Sequence, residues 1–328
     1  MYYLGIDGGS SKTQCAIIDK NGKVRAQLRG PGSAIIGIPS PGDMRVIISL
    51  VNQCCKKARI TPDNIKHFCV GLSGVDFEDE IPGQVKMMAA TLDISAKRLS
   101  LVNDGIVALW GATSAPNAAI IQHGSALTSA YRKGFGTEKI FDNLSVGTIF
   151  DIRHQTLALM ARMIDGRARK TGLLDLVLSH LGIKNKACFA EMVYRKRLVP
   201  QWVKIITDLV YKAYQRKDPA AVSLVEQALK DYALFAKVMA RKIGRKHAVI
   251  VFGGGVIMNS STQFKKRLLV VTTGAIAGAQ VSFPRLYPEI GAAIMAAYHD
   301  GVDPMLLYGR LDKQSTAKCN LHGSQAKI

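Results

Sequence analysis

A glycine-rich stretch near the start of the chain contains residues that could bind a phosphate. Asp7 ends an apolar run, and Gly-Gly-Ser-Ser-Lys-Thr follows at residues 8–13 before a second apolar run begins. Glycines leave the backbone N–H groups of such a turn open to an anion, and a carboxylate at its edge can hold Mg²⁺ together with phosphate oxygens. The stretch predicts either a phosphate-binding hairpin or a plain tight β-turn at Gly8-Gly9.

Two common phosphate motifs are excluded. A Walker A loop needs a glycine directly before its lysine and a helix after it, whereas Ser11 precedes Lys12 and a strand-like run follows. The triple glycine at residues 253–255 does not continue into a dinucleotide fingerprint, because Met258 occupies the third glycine position. Any phosphate site in this chain must therefore be of a different type.

The apolar pattern predicts that these turns join strands in two similar halves of the chain. A strand–glycine turn–strand unit occurs near the N-terminus and again about 115 residues later, each time followed by helices. This order predicts two related α/β lobes with a central cleft. The predicted strands are 2–7, 13–19, 23–28, 67–72, 99–102, 118–121, 127–131, 249–252, 268–272 and 280–283. One predicted helix follows a capping pattern at 40–43 and has apolar residues at positions 47, 48, 51, 54, 55 and 58. The other predicted helices lie at 83–92, 151–165, 171–181, 200–215, 219–243 and 289–299.

Length and composition indicate a two-domain protein of the cytoplasm. The chain has 328 residues, of which 48% are hydrophobic, enough to bury a sizeable core. The N-terminus lacks a signal-peptide pattern and no apolar run is long enough to span a bilayer, so we expect cytoplasmic localisation and no membrane partner. The six cysteines lack the paired spacing of a zinc site or a disulfide framework, which predicts buried reduced thiols.

The chain is strongly basic. Lys and Arg number 44 against 24 Asp and Glu, giving a formal net charge of +20. Such a charge favours phosphate-rich ligands or nucleic acid. However, the basic clusters lie on or beside helix-like segments, without interleaved aromatic residues or an RNA-binding signature. We therefore interpret the charge mainly as solvated surface, with nucleic-acid binding as the disfavoured alternative.

Six short motifs occur in order along the chain. They are Gly5-Ile6-Asp7-Gly8-Gly9-Ser10-Ser11-Lys12-Thr13, Gly71-Leu72-Ser73-Gly74, Asn103-Asp104-Gly105, Gly124-Ser125, Phe252-Gly253-Gly254-Gly255-Val256 and Pro288-Glu289-Ile290-Gly291-Ala292. In this order and spacing they resemble the motifs of the amino-sugar kinases (N-acetylglucosamine and glucosamine kinases) within the BadF/BadG/BcrA/BcrD ATPase family. The resemblance implies an α/β fold of two duplicated actin/hexokinase-like (ribonuclease H-like) lobes. It places the first lobe at 1–116, the second lobe with a helical insertion at 117–300, and a polar tail at 301–328.

The resemblance also implies an activity: transfer of the γ-phosphate of ATP, with Mg²⁺, to a hydroxyl of a small sugar or sugar-like acceptor. It further implies a homodimer. Asp104 matches the catalytic base, and a carboxylate at a strand's end can accept the proton of an attacking hydroxyl; capping of a helix from Gly105 is the alternative. The implied ATP contacts are Gly8, Gly9, Ser10, Ser11, Lys12, Thr13, Gly124, Ser125, Gly253, Gly254 and Gly255; Asp7 is the implied metal ligand; and the implied acceptor contacts are Ser33, Asn103, Asp104, Gly147 and Thr148.

The sequence departs from the family pattern on the acceptor side. Ile35 stands where an asparagine contacts the sugar, and Ser145-Val146 replaces an Asp-Glu pair. Gln122-His123 replaces Gly-Thr before the second phosphate turn, where His123 either obstructs the backbone approach or donates to a phosphate.

Three hypotheses fit these departures. They are a kinase with a changed acceptor, a catalytically impaired nucleotide-binding relative with a regulatory or scaffold role, and an ATPase coupled to a redox partner. The third is disfavoured, because Cys188 is the only cysteine between residues 70 and 318.

Overall fold

The computed structural model describes residues 1–42, 44–124, 127–141, 152–195, 200–244 and 248–311. By packing, the chain divides into two compact units. Unit 1 comprises Met1–Asn143, Met239–Gly255 and Ala279–Ile328, and unit 2 comprises Leu144–Val238 and Val256–Gly278. All the described candidate site residues lie in unit 1, so a single packed body positions them. The predicted lobe boundaries at 116 and 300 remain predictions.

The first sheet of unit 1 contains five strands in the order β3-β2-β1-β4-β5. Strands β1, β2 and β3 form an antiparallel meander, whereas β4 and β5 run parallel to β1. Because parallel strands end at one edge of a sheet, the residues after β1, β4 and β5 meet there. The strands are β1 (Tyr2–Gly8), β2 (Thr13–Asp19), β3 (Val24–Gly30), β4 (Ile65–Leu72) and β5 (Leu99–Asn103).

The second sheet repeats this arrangement. Its order is β10-β9-β6-β7-β8, with an antiparallel β6–β7 hairpin and β9 and β10 parallel to β6. The repeated hairpin with parallel strands beside it confirms the predicted duplication of the α/β pattern. The strands are β6 (Asn117–His123), β7 (Leu127–Lys133), β8 (Lys139–Ile140), β9 (Val249–Gly253) and β10 (Gln280–Ser282).

Helices occupy most of the remaining described chain. Among the described residues, no helix combines the length and the apolar character needed to cross a bilayer. The helices are α1 (Arg45–Ala58), α2 (Ile81–Thr91), α3 (Asp104–Ala112), α4 (Ile152–Ile164), α5 (Gly172–His180), α6 (Lys186–Tyr194), α7 (Pro200–Gln215), α8 (Pro219–Ile243), α9 (Gly255–Met258), α10 (Thr262–Ala275), α11 (Pro288–His299) and α12 (304–311).

Two helices, α3 and α11, carry the core that both sheets of unit 1 share. Fully buried Val107 of α3 and Ala292 of α11 belong to one apolar cluster with Tyr3 of the first sheet and Ile120 of the second. Glycines allow the close approach, because a Cβ on Gly291 would collide with the backbone of α3. The elements that carry the candidate site are therefore fixed by a continuous core.

Two local predictions are wrong. The predicted strand at 268–272 lies inside α10, where Phe264, Leu268 and Thr272 are fully buried at helical spacing. Ser261 begins this helix by accepting a hydrogen bond from the N–H of Phe264 at 3.1 Å. The capping pattern at 40–43 does not start α1, whose N-cap is Met44 without a side-chain cap. Asp43 of that pattern lies outside the described residues.

The end of the chain and one cysteine also differ from expectation. Residues 304–311 form α12, which buries Leu307, Tyr308 and Leu311 in the core of unit 1. The first part of the predicted polar tail is thus packed, because it places apolar residues at helical spacing. Cys188 is exposed rather than buried, while the thiols of Cys15, Cys54, Cys55 and Cys69 are buried and free; Cys319 lies outside the described residues.

Candidate functional site

The first glycine hairpin is tied to two neighbouring loops by its own backbone. The N–H of Gly9 donates to the carbonyl of Lys12 at 3.0 Å and closes the turn. The carbonyl of Gly8 accepts from the N–H of Ser73 at 2.9 Å, and that of Gly9 accepts from the N–H of Ser33 at 3.0 Å. A Cβ on Gly8 would lie 2.5 Å from Ser33 Oγ and would also meet the side chain of Leu72, so a larger residue would have to displace these buried side chains. The hairpin therefore has a fixed position against the loops that follow β3 and β4.

The side chains of the hairpin point in different directions. Ser10 and Ser11 are exposed. Thr13 is fully buried, and its hydroxyl donates to the Ser33 hydroxyl at 2.7 Å. The Lys12 ammonium donates to Gln14 Oε1. The hydrogen bond between Thr13 and Ser33 thus links the hairpin to the loop after β3. The contact of Thr13 with ATP and that of Ser33 with the acceptor remain predictions.

Asp104 is the first residue of α3, and its neighbour Asn103 caps that helix. Asn103 Oδ1 accepts from the N–H of Gly105 at 2.7 Å, and Asn103 Nδ2 donates to Asp76 Oδ1 at 2.7 Å. Because Asn103 fills the capping position, the capping alternative for Asp104 is not needed. Burial raises the pKa of the Asp104 carboxyl to about 6, and the charge of Asp76 acts in the same direction, while backbone N–H groups at the helix start oppose the shift.

Asp7 is half-buried near the end of β1, and the charges of other acidic groups affect the pKa of its carboxyl group. Burial, followed by the charges of Asp104 and Glu289, raises the pKa of Asp7 to about 7, and Lys12 opposes this shift. A cation would relieve such crowding of carboxylates. No three ligating side chains in the described part of the chain form a ready-made metal site. Mg²⁺ fits this arrangement, since it commonly binds one carboxylate, waters and phosphate oxygens.

The second glycine hairpin and the turn after β9 lie against each other. Gly254 has φ +86°, and a Cβ there would lie 2.5 Å from the backbone N and C of His123. A Cβ on Gly124 would meet no atom of the described residues within 4 Å, which leaves room on that side of its backbone among them. Gly253 ends β9 and Gly255 begins α9, and Ser125 lies outside the described residues.

The start of α3 approaches this second hairpin. A Cβ on Gly105 would lie 2.8 Å from Thr128 Cγ2, at the beginning of β7. The structure therefore brings Asp104 beside the second hairpin, while electrostatic coupling links Asp104 to Asp7 at the first. The family resemblance implies that both turns contact ATP and that Asp104 is the base, and these roles remain predictions.

The structure describes only some of the residues that the family pattern places near the acceptor. Gly147 and Thr148, together with Ser145 and Val146, lie outside the described residues. Ile35 is 5% exposed and packs in the apolar core of the first sheet, while its N–H donates to the carbonyl of Ser73 at 3.0 Å. Ile35 thus stabilises the fold here, so an asparagine at this position would lose apolar burial rather than simply regain a sugar contact.

The sequence interpretation assigns no contact or role to four residues near this site, Gln14, Gln27, Asp76 and Glu289, although Glu289 lies within the sixth motif. Asp76 binds Asn103, and the fully buried Glu289 of α11 binds Gln14 of β2 and Gln27 of β3. A charged residue inside the apolar pattern at 288–297 was an available signal for Glu289. Its two amide partners lie more than 260 positions away in the sequence, so no local pattern could identify them.

Comparison with known proteins gives a consistent result. The model of the BadF/BadG/BcrA/BcrD ATPase family matches residues 4–296. The chain is similar to the N-acetylmuramic acid/N-acetylglucosamine kinase of Clostridium acetobutylicum, at 26% identity over 270 residues that cover 79% of this chain and 86% of that protein. It is also similar to the glucosamine kinase of Vibrio cholerae, at 24% identity over 247 residues that cover 74% of this chain and 81% of that protein.

A solved structure shares the fold. A Chromobacterium violaceum protein provisionally named an N-acetylglucosamine kinase aligns with a TM-score of 0.65 at 20% identity, covering 90% of this chain and 98% of that one. This likeness confirms the predicted actin/hexokinase-like fold class.

Proposed function

Because the chain belongs to the BadF/BadG/BcrA/BcrD ATPase family, we propose that it is an ATP-dependent phosphotransferase acting on a hydroxyl of an amino sugar or a related sugar. The observation that carries the proposal is the position of Asp104, a half-buried carboxyl at the start of α3 that lies beside the second glycine hairpin and whose charge acts on Asp7 at the first. The names of the curated relatives favour an amino sugar as the acceptor.

Asp104 acts as the general base in this proposal. Its carboxylate accepts the proton of the acceptor hydroxyl as the hydroxyl oxygen attacks the γ-phosphorus of ATP, and the bond to the bridging oxygen of ADP breaks. A pKa raised to about 6 suits a base that works near neutral pH. The hydrogen bonds of Asn103 to Gly105 and Asp76 hold the start of α3, and thus Asp104, in place.

The glycine hairpins bind and orient the phosphates. The first hairpin exposes Ser10 and Ser11, and a Cβ on Gly124 meets no described atom within 4 Å, so the backbone of both turns is open to phosphate oxygens at these residues. Asp7 would hold Mg²⁺, which supplies charge neutralisation for the transferred phosphate when bound. Positioning and charge neutralisation then account for most of the acceleration.

The pH dependence of kcat/KM should follow the ionisation of the Asp104 and Asp7 carboxyl groups. Both Asp104 and Asp7 must be ionised to act, and their pKa values of about 6 and about 7 lie above those of ordinary aspartates. Since kcat/KM reports groups of the free enzyme, we expect kcat/KM to fall as the pH drops below about 7 and to fall more steeply below about 6. A pH series of initial rates measures this, and a constant kcat/KM across the range would contradict the assignment of both groups.

An acceptor screen tests the proposal itself. ADP formation should be measured with ATP, Mg²⁺ and N-acetylglucosamine, glucosamine, N-acetylmuramic acid or glucose, alongside calorimetry with Mg·AMPPNP, a nonhydrolysable ATP analogue. We expect nucleotide binding and turnover with at least one amino sugar. Binding without turnover on any acceptor would favour the impaired nucleotide-binding relative, and neither binding nor turnover would exclude the kinase.

A further inference from the structure

A glutamate side chain is completely buried in the first turn of α11. Glu289 has no exposed surface, although glutamates are rarely buried in proteins unless they are paired. Enclosing a charged group this completely costs free energy unless its contacts compensate. The contacts of Glu289 must therefore account for its position.

Glu289 links α11 to β2 and β3, the two strands that follow the first glycine hairpin in the sequence. Its Oε1 accepts a hydrogen bond from Nε2 of Gln14 on β2 at 3.0 Å and another from Nε2 of Gln27 on β3 at 2.6 Å. Gln14 in turn accepts a hydrogen bond from the ammonium of Lys12. A continuous chain of hydrogen bonds thus leads from α11 to the tip of the hairpin.

The same network lies beside Asp7. Gln14 is the cross-strand partner of Asp7 in the β1–β2 pair, so their side chains share one face of the sheet. The charge of Glu289 is one of the causes of the raised pKa of Asp7, and Lys12 acts on both carboxyl groups in the opposite direction. Glu289 is therefore electrostatically coupled to the residue that would hold Mg²⁺.

The backbone leaves α11 little freedom to compensate for a change at this position. A Cβ on Gly5 of β1 would collide with the carbonyl of Glu289 and the N–H of Ala293. The helix is thus seated directly on the strand that carries Asp7. One oxygen of Glu289, Oε2, is buried with no hydrogen-bond partner among the described residues, and an unpaired buried oxygen costs free energy.

We propose that Glu289 is a positioning residue that holds the hairpin at 8–13 in the geometry needed to bind Mg·ATP. It acts through Gln14 and Gln27 and does not contact the nucleotide itself. This inference rests on the proposed function, since it presumes that the hairpin binds nucleotide phosphates.

Nucleotide affinity of matched variants tests this role. Glu289→Leu removes the acceptor for both glutamines at nearly unchanged volume, and we expect the Kd of Mg·AMPPNP to rise about tenfold, with an acceptor KM that changes far less. Glu289→Gln keeps an acceptor oxygen and should recover most of the affinity. Ile294→Ala, in the same helix and equally buried, should lower the unfolding midpoint without changing the Kd.

Three results would overturn the inference. They are an unchanged Kd for Glu289→Leu, a Kd raised equally by Ile294→Ala, and an equal rise in the acceptor KM. If Glu289→Leu does not fold, Gln14→Ala replaces it, because this change breaks the link between Glu289 and Lys12 on a half-buried strand face; an unchanged Kd there overturns the inference too. Failure of the unaltered protein to bind Mg·AMPPNP would instead remove the proposed function, and this inference with it.

Discussion

Asp104→Asn is expected to lower kcat by about 10² to 10⁴-fold while leaving the affinity for Mg·AMPPNP nearly unchanged. Asparagine has the size of aspartate but cannot accept the proton of the attacking hydroxyl. The fold should persist, because Asn103, and not Asp104, caps α3 through its bond to the N–H of Gly105. Steady-state rates and calorimetry on the same preparation measure the two quantities separately.

A matched substitution controls for the change of charge. Asp63→Asn makes the same chemical change on an exposed turn that has no part in the site, and it should leave kcat as in the unaltered protein. Turnover by Asp104→Asn at the rate of the Asp63 variant would show that Asp104 is not the base. A parallel loss of nucleotide affinity would instead indicate that Asp104 acts on binding.

Gly254→Ala is expected to destabilise the protein by about 2 to 5 kcal/mol. The estimate combines roughly 1–2 kcal/mol for an alanine at positive φ with roughly 1–3 kcal/mol for overpacking. Gly254 has φ +86°, and the added Cβ would lie 2.5 Å from backbone atoms of His123, which cannot move without disturbing the end of β6. Affinity for nucleotide should fall as well, because the turn after β9 and the second hairpin would separate.

Gly124→Ala is the natural comparison for stability. A Cβ at Gly124 meets no atom within 4 Å in the described part of the chain, so this variant should unfold at nearly the denaturant concentration of the unaltered protein. Urea unfolding followed by circular dichroism measures both variants. Equal midpoints for Gly254→Ala and Gly124→Ala would refute the packing argument at the β9 turn.

The sequence predicts most of the strands and the positions of the glycine turns. Local signals suffice for these features: a continuous apolar run defines β1, alternating residues define β2, and the glycines between them require a tight turn. Asp7 lies near the end of β1 and Asp104 directly follows β5, and because these strands run parallel both residues lie at the same edge of the sheet.

The remaining features depend on contacts between distant parts of the chain. The β-branched run at 270–273 favours a strand by local propensity, but burial of Phe264 and Leu268 on one face makes it part of α10. Glu289 finds Gln14 at a separation of 275 residues, and Ile35 occupies the core instead of facing an acceptor. Neither outcome can be read from spacing, because each depends on which surfaces pack together.

Direct observation of the transferred phosphate tests whether the protein phosphorylates a hydroxyl of the acceptor with Asp104 as the general base. Phosphorus NMR should follow ATP, Mg²⁺ and the best acceptor of the screen with the unaltered protein and with Asp104→Asn. We expect a new phosphomonoester signal that grows in step with ADP for the unaltered protein and is nearly absent for Asp104→Asn. Release of inorganic phosphate alone, or equal formation of the phosphomonoester by both proteins, would contradict this expectation.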